Sequence, residues 1–439
     1  MHSWLKQIKM MIPKIETASA QEIQAFQESE LAKTLKYVSQ HSAYYKRLFA
    51  DKNIDVSSIK TIDDLRQIPV TTKAELQAFN DDFLCVPTTE IIDYATTSGT
   101  LGDPVTFGLT DKDLDRLAYN EAISFDCAGI KHGDIVQLMT TIDRRFMAGL
   151  AYFLGLRKMK VGVIRVGAGI PELQWDSIRK YKPTYLITVP SFLLKLIEYA
   201  EAHGIDYKNS GIKGAVCIGE ALREQDFSDS TLSRKIAEKW DIKLYSTYAS
   251  TEMATAFTEC EFHVGGHHHP ELIVVETVDD ENNPVADGEP GELVITNLGV
   301  EGMPLIRFKT GDIVQLHREP CRCGRNTLRV GPVLGRKQQM IKYKGTTLYP
   351  PAMTNVLNDF ENIDLHVIEI STNDLGTDEI LIKLAVKHES EQFLREIKDH
   401  FRAKLRVTPR IEFTTKEALS PIVFNPMSRK PITFFDFRK

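Results

Sequence analysis

Between about residue 94 and residue 250, short apolar runs alternate with stretches of helical periodicity, and this alternation limits the fold more than any other feature of the chain. Ile135–Met139, Val161–Val166, Tyr185–Val189 and Ala215–Ile218 read as buried strands. Segments 112–126, 191–203 and 222–239 lie between or after them and read as helices. Strands that return to one sheet through helices pair in parallel, so the region predicts an α/β domain with a largely parallel sheet.

The flanks carry other patterns. Residues 20–50 are polar, with Leu31, Leu35, Val38, Tyr44, Tyr45 and Leu48 at helical spacing, and read as helix. Pro69 ends the next stretch, and Thr72-Lys73-Ala74-Glu75 has the Thr-x-x-Glu form that opens a helix by reciprocal capping. After residue 270, Leu272–Val278 and Glu292–Thr296 read as strands, with the turn-rich connectors 279–284 and 287–291 beside them. Beyond Gly335-Arg336, strands near 365–371 and 379–387 precede a helix at 390–404 and a strand near 410–414. With 439 residues the chain exceeds one ordinary core. The expected organisation is a large domain over 1–334, with a β-rich subdomain at about 260–334, and a small α+β domain over 335–439.

A net charge of -6 gives no general attraction to nucleic acid or to an anionic membrane. No apolar run approaches the roughly 20 residues that span a bilayer, and the first residues lack the apolar core of a secretion signal. The sequence therefore reads as cytoplasmic, with neither nucleic acid nor membrane as partner; a homodimer is compatible with it. Six cysteines in so long a chain do not form a disulfide framework and are expected as thiols or metal ligands.

Three segments carry chemistry. Tyr94–Val105 is a Ser/Thr/Gly cluster between strand-like runs, offering N–H groups and hydroxyls to phosphate oxygens. It is not a Walker loop, since no Gly-Lys-Ser/Thr ending is present; a hydroxyl-rich turn with no ligand explains it equally well. Tyr245–Glu252 follows an apolar strand and precedes a helix-like run. Thr251 suits a phosphate and Glu252 a magnesium ion, whereas the plainer alternative is a capped helix start with Glu in its first turn. In Arg307-Phe-Lys-Thr-Gly-Asp312, a carboxylate on a glycine turn can accept from both hydroxyls of a ribose, or simply face solvent.

In this order, with Gly335-Arg336 following and a lysine near the C-terminus, the three segments resemble the adenylate-forming superfamily, and within it the phenylacetate–CoA ligase family. Tyr44-Tyr45, Asp63-Asp64-Leu65, Ile68-Pro69 and Lys73 fit the same family, so the resemblance covers essentially the whole chain. It implies that Ser98, Gly99, Thr100 and Gly102 form the phosphate-binding loop and that Gly219-Glu220-Ala221 frames the adenine. It implies further that Tyr248, followed by Ala249 and Ser250, stacks on that base, that Thr251 touches the α-phosphate and that Glu252 holds Mg²⁺. Asp312 would bind the ribose with Arg336 nearby, and Lys430 would be the catalytic lysine of a mobile C-terminal domain. The chain departs from the family at Leu101 and Asp103, where a Thr and a Lys are usual. It departs again at Gln338 and Gln339, where acidic residues mark the domain hinge, and at Arg429 in place of a glycine.

Cys260, His267, Cys321 and Cys323 make a three-thiolate, one-imidazole set of the kind that closes a structural Zn²⁺ site. The separation between the pairs argues against a nucleic-acid-binding finger. Similar Cys and His positions occur in some members of the resembled family; His263, His268 and His269 are alternatives for the fourth ligand. Cys85, Cys127 and Cys217 lie in apolar surroundings and read as core thiols.

The expected activity is ATP-dependent ligation of a carboxylic acid, aryl or arylacetic by the resemblance, to coenzyme A through an acyl-adenylate, with AMP released. The segment after Met139, Thr140–Tyr152, lacks the Gly- and aromatic-rich character suited to phenylacetate, and its Arg144 and Arg145 suit either a second anionic group or solvent. Two alternatives stand beside this reading: an adenylating enzyme with a non-CoA acceptor, and an inactive nucleotide- and zinc-binding regulatory protein.

Overall fold

The computed structural model describes residues 12–97, 105–343, 346–373, 378–424 and 431–438. These fall into two compact units. The first comprises residues up to 229 with 233–310 and 314–332, and the second comprises 230–232, 311–313 and 333 onward.

In the first unit, α1 (Ala20–His41), α2 (Ala43–Asp51) and α3 (Lys73–Ala78) precede the hairpin of β1 (Asp93–Thr96) and β2 (Thr106–Leu109). The helix expected over 20–50 is interrupted at Ser42, which ends α1 and whose side chain caps α2 by accepting from Tyr45 N–H. The capping box at Thr72 and Glu75 is present. Then come α4 (Asp111–Cys127), β3 (Ile135–Leu138), α5 (Met147–Met159), β4 (Gly162–Arg165), α6 (Pro171–Tyr181), β5 (Tyr185–Thr188), α7 (Pro190–Ala202), β6 (Gly214–Ile218), α8 (Thr231–Lys239) and β7 (Lys243–Ser250). The four strands expected from apolar runs are all present, and the sheet is parallel from β4 through β3, β5 and β6 to β7. Three helical boundaries escaped the sequence pattern. Helix α5 is apolar nearly all round, so it shows no polar face to set its period. Helix α6 follows a left-handed Ile170 and opens on Pro171. Residues 219–230 lie outside α8, whose first residue is Thr231.

Past β7 the sheet turns antiparallel through β8 (Thr255–Thr258) and β9 (Gly266–His267). Two more strands, β10 (Ile273–Val278) and β11 (Gly291–Asn297), pair with each other, as their alternation and turn-rich connectors predict. Strand β12 (Phe308–Val314) follows, then β13 (Leu316–His317) and β14 (Arg329–Val330), which extend the main sheet to nine strands in the order β13-β14-β9-β8-β7-β6-β5-β3-β4. Helices α4 and α5 pack on its parallel part through Phe125, Tyr152 and Leu156. Gly155 permits their close approach, because a Cβ there would stand 2.3 Å from the Cβ of Glu121.

The second unit holds β15 (Gly335–Arg336), the β16 (Ile341–Tyr343) and β17 (Thr346–Leu348) hairpin, α9 (Pro350–Asn358), β18 (Ile363–Thr372), β19 (Asp378–Val386), α10 (Glu391–Leu405), β20 (Arg410–Thr414), α11 (Lys416–Val423) and β21 (Phe434–Asp436). Its sheet runs β20-β19-β18-β21, and Ile368, Ile382, Ile397 and Phe401 pack beside it as a separate apolar core. Among the described residues no helix is long and apolar enough to cross a membrane.

Candidate active site and metal centre

The parallel strands end at one rim of the sheet, and the chain order reverses within it. From β3 the chain steps outward to β4, then crosses back to β5 on the other side of β3. Loops after such strands diverge and leave room for a ligand. Strand β6 stops at Ile218, paired with Thr247, while β7 continues through Tyr248, Ala249 and Ser250 paired with β8. Tyr248 is half-buried and stacks on Phe257 at 5.9 Å, with 26° between the rings. This part of β7 thus lies beyond the point where β6 gives way to Gly219-Glu220-Ala221.

Thr251 and Glu252 sit on the turn between β7 and β8, so the helix start considered from sequence is replaced by the tip of a β-hairpin. The physical reason is Arg116, a buried side chain on α4 whose hydrogen-bonding capacity is spent on this neighbourhood. Its guanidinium donates to the carbonyls of Ala254 (2.6 Å), Leu272 (2.6 Å) and Leu298 (2.8 Å) and to Thr255 Oγ1 (3.2 Å). Burial pushes the Arg116 pKa down to about 10, which still leaves it charged at neutral pH. Asn297, at the end of β11, donates to the carbonyls of Met253 (2.8 Å) and Glu252 (3.4 Å) and accepts from Leu305 N–H (2.9 Å). Every one of these turn bonds from Arg116 and Asn297 that ends on residues 252–254 ends on a backbone carbonyl, so the Thr251 hydroxyl and the Glu252 carboxylate are not consumed in holding the turn. Lys73 Nζ stands 3.9 Å from Glu252 Oε1. A hollow of only about 10 Å³ lies behind Thr251 and Glu252, lined in part by Phe107, Met147 and Met303. It has room for about one water and none for an acyl group.

Glu220 has a structural task in this arrangement. Its carboxylate accepts from Ser191 N–H (2.8 Å) and from the Ser191 hydroxyl (2.8 Å), which caps the first turn of α7. The loop that follows is anchored by buried Arg223, which meets Glu259 at 3.3 Å and the Leu244 carbonyl at 2.8 Å. Sequence reading missed Arg116, Asn297 and Arg223. The one available signal was at Arg116, a charged residue on a helix otherwise marked for burial.

Asp312 and Arg336 belong to the second unit. The expectation of a glycine turn at Asp312 is corrected: Gly311 and Asp312 lie within β12, where Asp312 pairs with Arg336 of β15. Across that ladder Arg336 Nε lies 3.3 Å from Asp312 Oδ1. Ser98, Gly99, Thr100, Gly102 and Lys430 lie outside the described residues, as do Leu101, Asp103 and Arg429. In the loop after β3, Arg144 and Arg145 are exposed and both adopt left-handed backbone angles, φ 58° and 56°. Gly149 lets this loop lie against α5, since a Cβ there would fall 2.0 Å from the Thr141 carbonyl oxygen.

The other end of the β7–β8 hairpin carries the thiols. Cys260 follows β8, His267 ends β9 opposite Thr258 and Arg329, and Cys321 and Cys323 lie in the loop between β13 and β14. Their ligand atoms all lie within 4.8 Å of one another. Cys260 Sγ and Cys321 Sγ are 3.6 Å apart, and Cys323 Sγ and His267 Nε2 are 3.4 Å apart. Tetrahedral ligands at zinc distances stand about 3.5–3.8 Å from each other, so the set has the right spacing. Burial holds His267 below the ordinary imidazole pKa, in the neutral form that binds metal. Donation from Cys260, with help from His267, holds the Cys323 thiol down in turn. His267 Nδ1 faces Thr327 Oγ1 at 3.4 Å, an outer partner that orients the ring.

The alternative histidines are engaged elsewhere. His268 Nε2 meets the Ile273 carbonyl at 2.6 Å, His269 bridges Glu16 (2.5 Å) and Ser124 (3.1 Å), and His263 faces Glu259 at 3.3 Å. Glu16, fully buried, also takes Arg325 at 2.7 Å, and Arg325 donates to Cys323 Sγ at 3.6 Å. That network, unseen in the sequence, ties the start of the described chain to the thiol loop. Cys85, Cys127 and Cys217 are buried, as their apolar surroundings predict.

Comparison with known proteins identifies the family. The pattern of the AMP-binding enzyme family matches residues 15–302. A phenylacetate–coenzyme A ligase of Thermus thermophilus is 30% identical over 393 residues, covering 88% of this chain and 86% of the relative. A phenylacetate–coenzyme A ligase of Escherichia coli is 28% identical, with coverage of 86% and 85%. Among solved structures, a 2-hydroxyisobutyryl-CoA ligase in its postadenylation state has a TM-score of 0.84 at 24% identity, covering 97% of this chain and 91% of that one. The last likeness bears on the fold alone.

Proposed function

The chain belongs to the AMP-binding enzyme family, as an AMP-forming acid–CoA ligase related to the phenylacetate–CoA ligases, and from that premise we propose how its residues divide the work. The acid is activated by ATP as an acyl-adenylate, and coenzyme A then takes the acyl group and releases AMP. Tyr248 offers its face to the adenine, with Gly219-Glu220-Ala221 along its edge. Thr251 donates to the α-phosphate, and Glu252 holds Mg²⁺, whose charge offsets the departing pyrophosphate. Ser98, Gly99, Thr100 and Gly102 supply hydroxyl and backbone donors to the phosphates. Asp312, paired with Arg336, takes the ribose hydroxyls, and Lys430 bridges carboxylate and phosphate oxygens during adenylation.

The observation that carries this reading is the tip of the β7–β8 hairpin. A hydroxyl and a carboxylate stand side by side at the rim of a parallel sheet, and the turn beneath them is held by other groups. Little covalent work is asked of such a site; positioning and neutralisation suffice. The acid is aryl or arylacetic, supported by the names of the relatives above. A panel of carboxylic acids assayed for AMP formation, with and without coenzyme A, tests both halves. Phenylacetate and benzoate derivatives should give AMP at the highest rate, and the thioester should require coenzyme A. Pyrophosphate exchange with no thioester on free coenzyme A would move the acceptor elsewhere.

Cys260, His267, Cys321 and Cys323 hold a structural Zn²⁺. Four protein ligands leave no open position, and β8 separates the cluster from Glu252 by roughly 15–20 Å at ~3.3 Å per strand residue. Three thiolates of this kind belong in a reducing compartment, the cytoplasm. Metal analysis of the purified protein should return about one zinc per chain.

A further inference from the structure

Lys73 is the first residue of α3, and the chain leading to it is fixed. Thr71, fully buried, donates its N–H to the Arg307 carbonyl (2.8 Å), accepts from Lys309 N–H (2.9 Å), and donates its hydroxyl to the Ile306 carbonyl (2.9 Å). Thr72 and Glu75 close the capping box, and Tyr44 donates to Glu75 at 2.9 Å. From this anchored start the Lys73 side chain reaches Glu252, with 27% of the lysine side chain and 12% of the glutamate side chain exposed.

The geometry of that pair does not resemble a structural ion pair. Lys309 and Glu292, in the same unit, close to 2.8 Å with side chains 14% and 6% exposed. Lys73 and Glu252 stop at 3.9 Å, beyond hydrogen-bond distance, with the lysine the more exposed of the two. The phosphate-binding stretch Tyr94–Val105 contains no lysine or arginine and carries Asp103. A triphosphate beside the Glu252 carboxylate brings more negative charge than one divalent ion offsets.

We propose that Lys73 contacts the nucleotide: its ammonium exchanges Glu252 for a β- or γ-phosphate oxygen when Mg²⁺ takes the carboxylate. This rests on the nucleotide reading given above. Nζ lies 3.9 Å from the Glu252 carboxylate, and rotation about the flexible lysine stem lets it turn to a phosphate oxygen bound beside that carboxylate. Lys73 thereby supplies the cation that the phosphate loop lacks, acting on the pyrophosphate end of ATP and not on AMP.

The test compares MgATP and AMP binding to the full chain by calorimetry, in wild type, Lys73→Met, Lys73→Gln and Lys73→Arg. Loss of one charge-assisted contact should weaken MgATP about 10- to 100-fold in the Met and Gln variants. AMP affinity should stay within about threefold, and Arg should restore most of the loss. Equal weakening of both nucleotides, or unchanged MgATP affinity, overturns the proposal. So does tighter Mg²⁺ binding with ATP affinity unaltered, which would make Lys73 a mere occupant of the cation position. A wild-type chain that binds neither nucleotide refutes the underlying nucleotide reading instead. Thermal unfolding of each variant confirms that the change is read on folded protein.

Discussion

At the tip of the β7–β8 hairpin, the bonds from Asn297 and Arg116 fall on the carbonyls of Glu252, Met253 and Ala254, so two polar side chains remain available. At its base the polar side chains themselves converge, and Cys260, His267, Cys321 and Cys323 turn toward one point. The same hairpin therefore ends once in an open site and once in a closed one. A group meant for a ligand must be relieved of structural duty, with neighbours holding the backbone in its place. A group meant for a structural metal is itself the structural duty, and its outer partners, Thr327 and Arg325, only orient it.

That contrast breaks most readily at the base. Cys321→Ser, or chelation of the metal, should remove about 4 kcal/mol of stability, a loss in the range known for lost metal sites. AMP formation by the protein that remains folded should change less than about threefold. A large drop in turnover with stability intact would show that the base is not separate from the chemistry. At the tip the reverse is expected. Glu252→Gln should cost about 3 kcal/mol of transition-state stabilisation, roughly a 100-fold fall in kcat/KM, while denaturant midpoints stay put. Retained turnover in that variant would remove Glu252 from the site.

Asn297→Ala sharpens the comparison, because it attacks the support and spares the reacting groups. It leaves the Met253 carbonyl and the Leu305 N–H without their partner, which should lower stability by about 1–2 kcal/mol. Turnover should fall with it while AMP affinity holds. If only stability moved, the turn would be correctly placed without Asn297.

Glu121 offers a control that belongs to neither group of ligands. Buried on α4 against α5, its carboxyl is pushed up to about 8 by desolvation. A raised acid is held protonated in the folded state, so its favourable term is complete at acid pH. It is lost progressively as pH rises from about 4.5 through about 8. Unfolding followed at pH 6 and pH 9 should show wild type losing about 3 kcal/mol across the interval through this group, and Glu121→Gln losing that dependence. An unchanged pH slope in the variant would mean that Glu121 ionises inside the folded protein.

Much of the parallel half was legible because its strands are short apolar runs between amphipathic helices, and a period of that kind survives without any tertiary knowledge. Helix α5 was not, since apolar residues nearly all round it leave no polar face to mark a period. The same limit applied at Thr251. A Ser/Thr followed by Glu opens helices and also fits a hairpin tip, and local sequence does not separate the two. Arg116 and Asn297, 135 and 45 residues away from that segment by position, tip the balance, for example in the Arg116 bond to Ala254 across 138 residues.

The amino-acid sequence by itself determined the α/β class, the family and the set of residue types that a nucleotide and a metal require, because these depend on composition and order along the chain. Tertiary structure alone decided that Thr251 and Glu252 crown a hairpin, that Asp312 lies within a strand, and that Lys73 faces Glu252, and it set His267, already named from the sequence, among the thiols. Those facts depend on distances between residues far apart in sequence, and such distances are set only when the buried groups of the whole core have found their partners.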